Sequence, residues 1–171
     1  MKIDIVDNFL SSYQADSYVK LFGEMPCGEF PWYFGNGVLR PNDGQYQFCH
    51  GFMKNQYDSK VQNEPDINFP VIEPCLNRLR SRILYRIKAN LVPKTLFHRR
   101  SGYHTDLNYA PPKTRTAIFY INTCNGWTQF KKGGKVKSIA NRIVIFDHKL
   151  SHAGVTCTDE KRRVVVNFNY E

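Results

Sequence analysis

No stretch of this chain approaches the ~20 consecutive apolar residues that a helix needs to cross a bilayer, so no membrane-spanning role is expected. The opening segment, 1–9, lacks the charged-then-apolar pattern of a secretory leader. Cysteine is sparse and odd in number: Cys27, Cys49, Cys75, Cys124 and Cys157, with no Cys-x-x-Cys spacing among them. That pattern excludes a zinc ribbon and argues against a disulfide framework. It fits free thiols in a reducing cytoplasm. Internal repeats, low-complexity tracts and linker-like stretches are missing too. At 171 residues, one domain spanning 1–171 is the economical expectation. Acidic residues are few, 15 against 24 Lys and Arg, which leaves a net charge of +9. Such a surface attracts nucleic acid, acidic proteins or anionic small molecules. The cations are spread along the chain and not gathered into one tract, so any nucleic-acid affinity is expected to be weak and non-specific.

What is present is a β-rich, aromatic chain. Lys2–Val6 alternates and reads as a strand. A helix follows, opened by a capping box formed by Ser11 and Gln14, with Leu10 as its staple and Gly23 placed to end it. The segment 25–44 is rich in Pro, Gly and aromatics. Its Phe30–Phe34 cluster reads either as a loop packed over the core or as a lip over a pocket. Tyr46–Lys54 alternates as a strand, and within it His50 reads as a packed strand residue. Asn55–Asp66 is polar and reads as a loop. Phe69–Ile83 carries an apolar stripe and is the second expected helix. In Leu84–Val92 the residues Arg86, Lys88 and Asn90 share one face, looking either into a cavity or into water. From Phe97 on, short strands and turn signals alternate, as in a sandwich or barrel.

The chemistry concentrates in His104-Thr105-Asp106 and in His152, far along the chain. Two ligands one residue apart lie on the same side of an extended segment, so their donor atoms can converge on one ion. Two histidines and one carboxylate make the facial triad that binds non-haem Fe(II) and leaves positions open for chemistry.

These residues, with the strands around them, resemble the double-stranded β-helix (jelly roll, cupin-like) core of Fe(II)- and 2-oxoglutarate-dependent oxygenases. They resemble the prolyl 4-hydroxylase-like group in particular. The matching segments are 103–106, 116–122, 125–130, 142–147, 152–155 and 162–168, in the family's order, so residues 83–171 would form the jelly-roll core. Residues 1–82 would form a variable layer, with two N-terminal helices packed on one sheet. That half is similar to small phage-encoded members, which would place the protein in a host cytoplasm.

The resemblance implies that His104, Asp106 and His152 bind iron. It implies that Tyr120 contacts the co-substrate and that a basic residue on the last strand pairs with the distal carboxylate of 2-oxoglutarate, with Asn167 on the polar face of that strand as a further expected contact. Arg162 and Arg163 compete for that role. Arg163 shares a face with Val165, Asn167 and Asn169, the more polar and hence cavity-facing side. Arg162 shares a face with Val164, Val166 and Phe168. Arg163 is therefore expected, and its planar fork suits a carboxylate. His148 competes with His152, but it sits in an apparent turn, whereas His152 precedes the small Ala153-Gly154. His98 reads as structural.

The implied activity is a dioxygenase that hydroxylates a C–H bond, using dioxygen and decarboxylating 2-oxoglutarate to succinate. A peptidyl proline is one implied substrate. The same chemistry on a nucleobase, a nucleic acid or a small molecule is the alternative, as is a cupin-like metal-binding domain without 2-oxoglutarate.

Overall fold

The structure is a computed structural model that describes residues 2–24, 30–53, 66–107 and 109–171. The chain runs β1 (Ile3–Val6), α1 (Ser12–Val19), β2 (Tyr33–Gly35), β3 (Gln47–Met53), α2 (Glu73–Leu79) and β4 (Leu84–Pro93). It continues with β5 (Arg115–Tyr120), β6 (Trp127–Phe130), β7 (Lys135–Lys137), β8 (Arg142–Asp147), β9 (His152–Val155) and β10 (Arg162–Tyr170). Seven strands form one antiparallel sheet in the order β1-β8-β5-β10-β4-β3-β2, and three form a second in the order β7-β6-β9. The two sheets face each other as a jelly roll.

Alternation along the strands divides the apolar residues between the two faces of the large sheet. On the outer face, Val164, Val166 and Phe168 of β10 and Ile87 and Ala89 of β4 pack with Tyr18, Phe22, Ile72, Cys75 and Leu76 of the helical layer. Phe119 is 1% exposed and stands edge-on to Tyr18, with ring centroids 5.7 Å apart. On the inner face, Tyr120, Val144, Phe146 and Val165 meet Phe130 and Val136 of the small sheet. Phe130 and Phe146 cross at 84°, which closes that end of the sandwich. Each fully buried phenylalanine contributes roughly 1.5–3 kcal/mol. The other end, where the inner residues of β4 are polar, stays open.

The first helix starts where expected. Ser11 accepts from the Gln14 N–H, and the Gln14 side chain accepts from the Ser11 N–H. Asn141 clamps this end to the sheet: its side-chain amide donates to the Leu10 carbonyl and its side-chain oxygen accepts the Leu10 N–H. After Val19 the chain continues as a π-turn over Lys20–Glu24.

The second helix is shorter than its apolar stripe suggests. A 3-10 turn covers Phe69–Ile72, the α-helix runs only over Glu73–Leu79, and Arg80 adopts the left-handed conformation with φ of 53°. Pro70 and Pro74 each sit at the start of a turn, where a missing N–H costs nothing. Ile83, expected on the buried stripe, is instead exposed and hydrogen-bonded to Glu171 ahead of β4.

Phe30 and Trp32 pack into the core beside Phe22, whereas Tyr33 and Phe34 lie exposed on β2. The loop expected over 55–66 lies outside the described residues, apart from Asp66. That residue holds His50, whose second ring nitrogen faces the Pro31 carbonyl.

Candidate active site

Three donor atoms meet at the open end of the space between the sheets. His104 lies on a segment that runs antiparallel to β9. Its N–H donates to the His152 carbonyl and the His152 N–H donates to the His104 carbonyl, each at 2.9 Å. Directly opposed residues in antiparallel strands send their side chains to the same face. The two rings accordingly stand side by side, with centroids 4.8 Å apart. Asp106, two residues past His104, returns to that face. Its Oδ1 lies 3.9 Å from the Nε2 of each histidine. All three donor atoms fall within 4.8 Å of one another.

Hydrogen bonds orient each candidate ligand. The His104 Nδ1 lies 3.1 Å from the Gly102 carbonyl, and the His152 Nδ1 lies 3.1 Å from the Leu150 carbonyl. A carbonyl only accepts, so each Nδ1 carries a proton, and in the neutral ring it is Nε2 that presents the lone pair. Burial, together with the facing His152, holds the His104 imidazole below its ordinary range, which keeps it neutral near pH 7. The Asp106 side chain is 4% exposed. Burial alone would raise its pKa, but His152, Arg86 and His104 outweigh that effect and hold the carboxyl below its usual value. The Asn169 amide donates to Asp106 Oδ2 at 3.2 Å and to Thr116 Oγ1 at 3.0 Å. One amide hydrogen bond thus orients the carboxylate, and the other anchors the amide on Thr116. Two imidazole lone pairs and one ionised carboxylate on one side of a point fit a divalent first-row metal such as Fe(II) and leave the cavity side open.

The cavity beside the triad has a volume of about 480 Å³. Its walls carry Arg86, Lys88 and Asn90 of β4, Val165, Asn167 and Arg163 of β10, and Thr128 of β6; Val38, Leu39 and Arg40 form the lip. Arg163 is 4% exposed. Its Nε donates to Ser138 Oγ at 2.7 Å, and one terminal nitrogen, Nη2, donates to Thr128 Oγ1 at 3.0 Å. The other, Nη1, lies over Gly154, 3.6 Å from where a Cβ would stand. Gly154 is two residues along β9 from His152, roughly 7 Å at the usual strand rise. Gly126 makes room for the arginine stem, since a Cβ there would come within 2.9 Å of Arg163 Cδ and 2.8 Å of the Val155 carbonyl oxygen. Arg162 lies on the opposite face of β10, where its carbonyl accepts from Asn122.

Tyr120 is fully buried behind the wall. Its hydroxyl donates to Thr128 Oγ1 at 2.8 Å, and the Arg163 guanidinium sits 5.5 Å from its ring. Thr128 Oγ1 therefore accepts from both Tyr120 and Arg163, leaving its own hydrogen free to donate into the cavity. Asn167 reaches the cavity wall, and its buried Oδ1 has no hydrogen-bond partner among the described residues. His98 packs edge-on to Trp127 and hydrogen-bonds the Thr156 carbonyl; His148 is buried in a turn beside a shallower depression. Neither is among the grouped donor atoms.

Sequence reading missed Thr128, Ser138 and Gly126, and left Arg86 and Lys88 undecided. The alternation of 84–92 marked the polar face but not what it looks at. Thr128, Ser138 and Gly126 acquire meaning only once Arg163 is placed among them.

No family model matches the chain, and no curated protein matches it in sequence. Solved structures do match. A 2OG-Fe(II) oxygenase family oxidoreductase from Burkholderia pseudomallei superposes with a TM-score of 0.67 at 12% identity, covering 98% of this chain and 84% of that one. A Trichoplax adhaerens prolyl hydroxylase, in complex with a hypoxia inducible factor peptide fragment, gives 0.63 at 14% identity, covering 98% and 83%. HygX from Streptomyces hygroscopicus, with nickel and 2-oxoglutarate bound, gives 0.59 at 12% identity, covering 98% and 82%. The chain therefore has the fold of the 2OG-Fe(II) oxygenases. Among the described residues, no helix is long and apolar enough to cross a membrane.

Proposed function

We propose that the protein is an Fe(II)- and 2-oxoglutarate-dependent dioxygenase that hydroxylates a C–H bond. The observation that carries this reading is the pairing of two features in one cavity. His104, Asp106 and His152 converge at one side, and the Nη1 edge of Arg163 is presented over Gly154, two strand positions from His152. Bound Fe(II), with 2-oxoglutarate and dioxygen, would supply oxidative decarboxylation to succinate coupled to oxygen insertion.

The chain's own residues bind and orient. Gly102 and Leu150 hold the imidazole protons away from the metal side, and Asn169 holds Asp106. Arg163 would receive the distal carboxylate of the co-substrate, with Ser138 and Thr128 fixing the guanidinium plane. Thr128 would add its free hydroxyl hydrogen. Tyr120 would act through Thr128, and Asn167 would flank the co-substrate. A plain metal-binding cupin has no use for a buried arginine in the wall of the cavity beside its metal site. Burying that charge without an anion is costly.

The fold neighbour solved with a peptide supports a peptide substrate, a prolyl one included. A small molecule of suitable size fits the cavity equally well, and the same chemistry on a nucleobase remains the alternative. Any nucleic-acid affinity arising from the +9 charge would be non-specific and would fall steeply with salt.

The test is anaerobic Fe(II) binding to wild type and to a His104→Ala, Asp106→Ala double variant. One iron per chain is expected in the first and none in the second. Stoichiometric binding that survives both changes would show that the metal lies elsewhere.

A further inference from the structure

The cavity carries more positive charge than the proposed cofactors use. Among the described residues its walls hold four cations, Arg40, Arg86, Lys88 and Arg163, against one carboxylate, Asp106. A divalent metal and Arg163 together bring three positive charges. Asp106 and the 2-oxoglutarate dianion bring three negative ones. Arg86, Lys88 and Arg40 are left over.

Two of these stand on one strand of the cavity wall. Arg86 and Lys88 follow one another on the inner face of β4, opposite Asn169 and Asn167 of β10 in the sheet register. Arg86 Nη1 is buried without a hydrogen-bond partner among the described residues and lies 3.6 Å from Asp106 Oδ1, the oxygen nearest both imidazoles. Once that oxygen serves a metal, the guanidinium needs another anion. Lys88 is half-buried in the wall and makes no ion pair or hydrogen bond among the described residues. Burial and the adjacent Arg86 press its pKa downward, against the smaller opposite pull of Cys49 and Asp106. Opposite it, the Asn167 side-chain oxygen is also unpartnered among the described residues. Cations with no anion in a partly closed cavity are costly unless a ligand supplies the charge.

Resting on the dioxygenase reading above, we infer that the molecule this site oxidises carries an anionic group, a carboxylate or a phosphate, held between Lys88 and Arg86 next to the metal. The anion fixes the substrate and sets an adjacent C–H bond toward the open metal positions. An uncharged prolyl side chain in mid-peptide would leave both cations unmet. Lys88 and Arg86 are therefore the specificity-determining residues, while Arg163 serves the co-substrate.

The experiment uses the full chain loaded with Mn(II) and saturating 2-oxoglutarate, with binding of both confirmed first. Inorganic phosphate is titrated, and Mn(II)-induced relaxation of its phosphorus signal is recorded. A parallel arm uses carbon-13 acetate, and the tighter anion identifies the source of the charge. Saturable relaxation is expected in wild type. Its affinity should drop several-fold in Lys88→Met and about tenfold or more in Arg86→Gln, Lys88→Met. The Lys88 variant leaves Asp106 untouched and guards against a general loss of the metal site. Saturable relaxation of wild-type strength in the double variant would mean the anion sits on the metal alone and would overturn the inference. No saturable relaxation by either anion in wild type would do the same. If wild type fails to bind Mn(II) or 2-oxoglutarate, the dioxygenase reading falls, and this inference with it.

Discussion

His104 and His152 exchange both backbone hydrogen bonds across the edge of the small sheet, at 2.9 Å each way. That one bridge joins two candidate ligands 48 residues apart in the chain and sends both rings to the same face. Asp106 joins them because a side chain two residues along an extended segment returns to the same side. The site is thus built on backbone pairing, and the loss of any one side chain should leave the frame standing.

The support for Arg163 is layered, and its layers are separable. Thr128 touches both Arg163 and Tyr120, whereas Tyr120 stays behind the wall. Tyr120→Phe removes one neutral hydrogen bond, worth about 1 kcal/mol, and should weaken 2-oxoglutarate roughly fivefold. Thr128→Val strands two donors at once and removes a third, so its loss should be larger. Calorimetric titration of the metal-loaded variants checks the ranking. A Tyr120 effect exceeding that of Thr128 would mean that the phenol meets the co-substrate directly.

Gly126 offers a test of the arginine's stem. A methyl group there collides with the Val155 carbonyl and with Arg163 Cδ. Gly126→Ala should lower thermal stability by about 1–3 kcal/mol, the usual cost of overpacking, and should weaken 2-oxoglutarate by displacing the guanidinium. Metal binding should be nearly unchanged. An Ala variant with wild-type 2-oxoglutarate affinity would show that the stem does not need this space.

Much of this was legible in the chain, because strand alternation is local. It separated Arg163 from Arg162 by face and marked His104 and Asp106 as neighbours. The capping box at Ser11 and Gln14 was readable for the same reason. Ile83 misled, because it continues the apolar stripe of the second helix beyond Arg80, where a left-handed residue breaks the turn. Thr128, Ser138 and Gly126 carried no signal of their own. Each matters through contact with one arginine on another strand, and such convergence exists only after folding.

The titration of His104 has a defined direction. Burial and His152 hold it below the ordinary value of 6.5, so below that pH the unfolded chain binds more protons than the folded one. The stability it contributes is complete above 6.5 and is lost as pH falls toward its folded value. Asp106, held below 3.8, contributes above that pH and loses its share only in stronger acid. Metal-free protein should therefore melt at a lower temperature at pH 5 than at pH 7. His148, which burial also holds low, acts in the same direction, so the comparison that counts is wild type against His104→Asn. The variant should show a shallower dependence. Equal slopes would mean that His104 is not strained toward neutrality by its surroundings.

The measurement that bears most directly on the function is the anaerobic titration of the Fe(II) protein with 2-oxoglutarate, followed by the metal-to-ligand charge-transfer band. An Fe(II)/2-oxoglutarate site predicts that the band grows saturably in wild type. In Arg163→Leu it should need roughly tenfold to a hundredfold more 2-oxoglutarate, since a charge-assisted hydrogen bond is worth about 1.5–3 kcal/mol. Arg162→Leu, altered on the outer face, should titrate like wild type. A band that never appears, or one that Arg162→Leu damages while Arg163→Leu does not, would contradict the assignment of this cavity to 2-oxoglutarate.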